Sequence, residues 1–186
     1  ESFNLETVIF SIDDFYKTIK ERKAMSKSIS PLFLTRGVPG THDTRMLLSC
    51  IKKLKKNKFK KIMIPKFNKG IDERVIKSKW LKVAKKPNIV IFEGWCVGVE
   101  PQKKKDLLLP VNELEKHKDK KKIWREHVNQ ELKKDYKKIF RLIDKIIFLK
   151  VPNFKHVFKW RLLQEKKLRA ASKGNKTMSD NQIKNF

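Results

Sequence analysis

Apolar positions along this chain come in two rhythms. Short continuous runs stand at Thr7-Val8-Ile9-Phe10-Ser11, Lys61-Ile62-Met63-Ile64-Pro65, Asn88-Ile89-Val90-Ile91-Phe92-Glu93 and Lys145-Ile146-Ile147-Phe148-Leu149. Polar, charged or turn residues bound each run, and each reads as a strand. The first is nearly unbroken, as expected of a strand buried on both faces. The other rhythm is helical. Phe15 to Met25 predicts a short helix. A second helix runs to about Lys56, with Leu47, Leu48, Ile51 and Leu54 on one face and Asp43 or Thr41 as its cap. Val111 to Lys118 predicts a short helix, Ile123 to Ile143 a long one, and Phe154 to Ala171 a basic amphipathic one. Ser172 to Met178 reads as a break, and Asp180 starts a final helix. Ser26 to Leu34 and Arg36 to Asp43 are loops, rich in turn residues.

Strands alternating with helices predict an α/β domain with a mainly parallel sheet, and residues 1–186 read as one domain. Ligands of such sheets sit outside the carboxyl ends of the strands. Asp13 lies past the first run, Lys66 and Asn68 past the second, and Glu93 ends the third.

Composition narrows the class. The 186 residues are 39% hydrophobic, which suits a folded core rather than a disordered chain. No apolar stretch is long enough to span a bilayer, and Glu1 to Phe10 lacks the pattern of a secretory signal. Cys50 and Cys96 make no metal-ligand pattern, and a reducing cytoplasmic setting is the default. The histidines at 42, 117, 127 and 156 have no zinc spacing. A net charge of +27 raises the question of nucleic acid or another polyanion as partner. Of the 47 basic residues 8 are Arg, which leaves 39 Lys. The lysines are spread over most polar segments and do not interleave with aromatic residues. That pattern favours a lysine-biased surface over a specific nucleic-acid site.

Several motifs together carry a resemblance. They are Ser11-Ile12-Asp13-Asp14-Phe15-Tyr16, Arg36-Gly37-Val38-Pro39-Gly40-Thr41-His42-Asp43, Ile64-Pro65-Lys66-Phe67-Asn68-Lys69 and Phe92-Glu93-Gly94-Trp95-Cys96-Val97-Gly98. Val111-Asn112, Trp160 to Glu165 and Met178-Ser179-Asp180 follow. In this order they resemble the D-glycerate 3-kinase family, P-loop kinases related to uridine kinase, phosphoribulokinase and pantothenate kinase.

The resemblance implies ATP and Mg2+, a small hydroxy acid as acceptor, and no membrane partner. It implies D-glycerate as that acceptor, with 3-phosphoglycerate as product. Asp13 would be the general base, and Asp14 would orient a neighbour or cap the next helix. Glu93 ends the strand that resembles a Walker B strand and would hold magnesium, through water. Arg36 would grip the acceptor carboxylate, because a guanidinium binds a carboxylate bidentately. Lys66 and Arg74 are further cations for it, and His42 and Asp43 would hydrogen-bond its hydroxyls. Helix 154–171 resembles a lid, with Arg161, Gln164 and Arg169 toward the transferred phosphate. The alternatives are a kinase for another small acceptor, or a non-enzymatic relative that binds polyanions.

No Gly-x-x-x-x-Gly-Lys-Ser/Thr occurs in these residues. In the resembling family that loop follows a strand that precedes the segment starting here. The expectation is therefore a fragment that lacks its central first strand. That strand would lie between the strand leading to Asp13 and the strand ending at Glu93. Such a fragment alone should neither fold stably nor bind ATP tightly, and should be inactive.

Overall fold

The computed structural model describes residues 3–171. The described residues form two compact units: 3–68 with 72–144, and 69–71 with 145–171. In the first unit the strands are β1 (Thr7–Ser11), β2 (Ile62–Ile64), β3 (Phe67–Asn68), β4 (Glu73–Arg74), β5 (Leu81–Val83) and β6 (Ile89–Glu93). Its helices are α1 (Ile19–Ser28), α2 (Thr44–Leu54), α3 (Glu113–Lys118), α4 (Ile123–Glu131) and α5 (Lys137–Phe140). The second unit contributes α6 (Phe154–Ala171), with the bounds that the sequence predicts.

β1 and β6 form a parallel pair with Thr7 opposite Ile89 and Ser11 opposite Glu93. The two strands bond to each other directly, so no further strand fits between them. The expected place of a central strand is corrected on that point. β1 also differs from a strand buried on both faces. Phe10 is buried, but Ile9 is 58% exposed, as are Ile89, Val90 and Ile91 in part on β6. β2 pairs antiparallel with β5, and β3 antiparallel with β4, beside the parallel pair rather than within it.

The core lies on the Phe10 side. Phe10, Ile12 and Phe15 pack in one cluster with Leu47, Ile51 and Leu54 of α2, Ile64 of β2, and Tyr136 and Ile139. Phe10 meets Phe15 edge-on at 5.8 Å and Phe92 at 5.2 Å. Burial of each such side chain contributes about 1.5–3 kcal/mol, so this cluster fixes the carboxyl end of β1.

Helix boundaries depart from the periodicity in instructive places. The predicted helix from Phe15 breaks into a 3-10 turn at Ile12–Phe15 and then α1. Thr18 forces the restart: its hydroxyl accepts from Glu21 N at 3.3 Å while Thr18 N donates to Glu21 Oε2 at 2.7 Å. α2 starts as predicted, with Asp43 Oδ1 accepting from Met46 N at 3.0 Å. The long helix expected over 123–143 is α4, a π-type turn at Leu132–Tyr136 with a kink at Lys134, and α5. The apolar run Lys145–Leu149 forms no strand, and Ile147, Phe148 and Leu149 are exposed. A strand needs a ladder partner, and this run has none among the described residues. The break at 172–178, the helix expected from Asp180 and the Met178-Ser179-Asp180 motif lie outside the described residues. Among the described residues no helix is long and apolar enough to cross a membrane.

Candidate active site

The site begins where β1 ends. Ser11 Oγ accepts from Asp13 N at 3.2 Å, and Asp14 Oδ2 accepts from Ser11 N at 3.3 Å. This reciprocal cap turns the chain sharply after the strand. The two neighbouring acids then part company. Asp14 is buried and structural: it accepts from Lys66 Nζ at 2.8 Å and from Phe67 N at 3.3 Å. It thereby ties the end of β1 to the segment after β2. Lys66, expected as a substrate cation, spends its charge on Asp14 while staying partly exposed.

Tyr16 N donates to Asp13 O at 3.3 Å, which closes the turn. Burial pushes the Tyr16 phenol above its ordinary value, and the nearby Asp13 carboxylate pushes the same way. Burial also drives the Cys96 thiol up to about 12, with the Asp13 charge adding to it. Burial holds His42 down at about 3, although Asp13 pulls the other way. Tyr16, Cys96 and His42 therefore all stay neutral at pH 7.

The loop from Arg36 to Asp43 folds onto this turn. Asp43 N donates to Phe15 O at 2.7 Å, Lys17 N to Thr41 O at 2.9 Å, and Lys17 Nζ to Gly40 O at 2.6 Å. Gly40 has φ of 102°, a left-handed conformation that favours glycine. His42 is fully buried and stacks on Tyr16, with ring centroids 4.5 Å apart. Its Nδ1 lies 2.6 Å from the Tyr136 hydroxyl, which also accepts from Gly40 N at 2.9 Å. Tyr136 comes from the π-type turn, and neither it nor Lys17 stood out in the sequence.

Three arginines frame the same region. Arg74 donates to Tyr16 O at 2.9 Å and lies 3.6 Å from Asp43 Oδ2. Asp43 therefore caps α2 and meets Arg74 at once. Arg36 pairs with Asp72 and rests over the Phe67 ring. Asp72 in turn pairs with Arg22 at 2.9 Å. Arg22 is 1% exposed, and its guanidinium also donates to Leu34 O, Lys17 O and Asp72 O. Sequence reading missed Arg22, because one arginine in a lysine-rich helix looks like surface charge.

β6 ends beside β1, with Glu93 level with Ser11. Glu93 is exposed. A Cβ on Gly94 would run into the Ile12 side chain, which explains glycine there. Trp95 donates to Gly37 O at 3.0 Å and so joins this strand end to the Arg36 loop. No cluster of three metal-ligating side chains occurs among the described residues. A single exposed carboxylate suits an ion such as Mg2+, which keeps several waters and takes substrate phosphates as further ligands.

The first unit therefore brings together Asp13, Arg36, His42, Asp43, Lys66 and Arg74, with Glu93 at the adjacent strand end. Arg161, Gln164 and Arg169 belong to α6 of the second unit. There Arg161 donates to Gln164 Oε1 at 2.9 Å and pairs with Glu165 at 2.7 Å, and Arg169 is exposed.

A carboxylate just past a parallel strand, with Arg36, Lys66 and Arg74 on the segments around it, fits a kinase of the P-loop class, and the comparisons agree. No protein-family model matches the chain. It is 34% identical to the uncharacterized kinase mug58 of Schizosaccharomyces pombe, over 98% of this chain and 67% of that one. It is 26% identical to the chloroplastic D-glycerate 3-kinase of Arabidopsis thaliana, over 97% of this chain and 39% of that one. The solved D-glycerate 3-kinase of Cryptococcus neoformans superposes with a TM-score of 0.78 at 26% identity, over 99% of this chain and 66% of that one. The chain thus spans about two thirds or less of these relatives. It belongs to the D-glycerate 3-kinase family of P-loop kinases.

Proposed function

We propose that the protein transfers the γ-phosphoryl group of ATP to a hydroxyl of a small hydroxy acid, D-glycerate first, giving 3-phosphoglycerate. The observation that carries this reading is the likeness to two proteins named D-glycerate 3-kinase over 97% and 99% of the chain. The composition of the site supports it. An acceptor hydroxyl attacking phosphorus must lose a proton, and Asp13 is a carboxyl group at a strand end, the kind of side chain that can take it. A hydroxy acid also brings a carboxylate, and Arg36 and Arg74 are cations of the right kind, with Lys66 beside them. His42 and Asp43 suit the acceptor hydroxyls.

In this reading the acceptor oxygen bonds to the γ-phosphorus as the bond to the ADP oxygen breaks, and the proton passes to Asp13. Glu93 would hold magnesium through water, and the charge supplied there would offset that of the nucleotide phosphates. Two buried free thiols, Cys50 and Cys96, suit a reducing cytoplasmic compartment.

The test is an ADP-release assay on the full-length protein with D-glycerate, pantothenate, uridine and ribulose 5-phosphate. The expected result is the highest kcat/KM with D-glycerate. Preference for another acceptor would overturn the substrate, and no ATP turnover with any acceptor would overturn the activity.

A further inference from the structure

The Tyr136 hydroxyl links two parts of the Arg36–Asp43 loop, and its bonding decides the state of His42. It already accepts from Gly40 N at 2.9 Å. A buried phenol proton also needs an acceptor. His42 Nδ1, at 2.6 Å, is that acceptor. Nδ1 is then unprotonated, and a neutral imidazole must carry its proton on Nε2. Burial keeps His42 neutral down to a pH of about 3, with Asp13 and Lys17 as the charges it feels. His42 Nε2 is itself buried and has no hydrogen-bond partner among the described residues. A buried donor with no acceptor is costly, and each such group in a native fold calls for a reason. This donor belongs to the loop that folds onto the Asp13 turn, on a ring stacked against Tyr16, whose backbone N–H donates to Asp13 O.

We propose that Tyr136 is a positioning residue of the acceptor site. It fixes His42 as the Nε2–H tautomer, so that this donor meets an oxygen of the bound acceptor when the loop admits it. The second half rests on the proposed kinase reading. The first half does not. Nothing in the local sequence marks Tyr136, because the π-type turn that aims it lies almost a hundred residues from His42.

The experiment is 15N NMR of the full-length protein with labelled histidine, the His42 signals being assigned by their loss in His42→Gln. The ligand-free wild type should show the Nε2–H tautomer, unchanged between about pH 5 and 8. Saturating D-glycerate should shift the Nε2–H proton. Kinetics supply a second readout. Tyr136→Phe should raise the KM for D-glycerate roughly tenfold, the size of one hydrogen bond, and leave the KM for ATP unchanged. The same change in a His42→Gln background should add less than about twofold, because Gln needs no tautomer to be set. An Nδ1–H signal in the wild type overturns the proposal, whatever the variants do. So does a rise in both KM values alike, which a merely structural Tyr136 would give. Absence of D-glycerate turnover in the wild type would refute the substrate reading instead, and the ligand-free tautomer would still decide the role of Tyr136.

Discussion

β1 and β6 end side by side, yet their two exits differ. Past β1, Asp13 and Asp14 sit in a turn tied by Lys66, Phe67, Tyr16 and the Arg36 loop. Past β6, Glu93 is exposed and Trp95 is 65% exposed, although Gly94 is pressed against Ile12. The knitted exit can hold a small acceptor within the tight geometry that phosphoryl transfer demands. The open exit suits a hydrated ion and the phosphates of a nucleotide, which come and go with each turnover. Asp13 and Glu93 are similar carboxylates, and in the proposed reaction their surroundings separate their roles.

That contrast can be broken from either side. The largest effect should come from Arg22→Ala, which removes a buried cation shared by Asp72 and three backbone carbonyls. We expect a loss of about 3 kcal/mol in urea denaturation. The acid limb of stability should come next. Burial lowers His42 from 6.5 to about 3 in the folded state, so the unfolded chain takes up this proton first. Its contribution is complete above pH 6.5 and drains as the pH falls toward 3, by at most about 1.4 kcal/mol per pH unit. Wild type should therefore lose more stability than His42→Gln between pH 6.5 and about 4.5. Asp43→Ala removes the cap of α2 and should cost about 1 kcal/mol in the same denaturation. Glu93→Gln, at the open exit, should change stability by less than about 0.5 kcal/mol while lowering turnover. A large loss of stability there would erase the contrast between the two exits.

The features legible in the sequence are those with local causes. β1 and β6 are apolar runs, Asp43 caps α2 from one residue away, and α6 follows its own periodicity. The motif order pointed to Asp13, and local chemistry explains why Asp14 became the structural partner. Features set by distant contacts were not legible. β3 and β4 have two residues each, too few for any period to show. Lys145–Leu149 has the composition of a strand but no ladder partner among the described residues. Arg22 and Tyr136 gain their roles from Asp72 and His42, partners that no spacing rule connects to them. Lys66 had a motif and the right charge, and only the fold shows that Asp14 holds it.

The central claim is that the turn after β1 carries the base of a phosphoryl transfer. It is tested most directly by Asp13→Asn in the full-length protein, with D-glycerate phosphorylation and ATP binding measured side by side. The account predicts turnover lower by about 10²–10⁴-fold with ATP affinity unchanged. Turnover equal to wild type would contradict it.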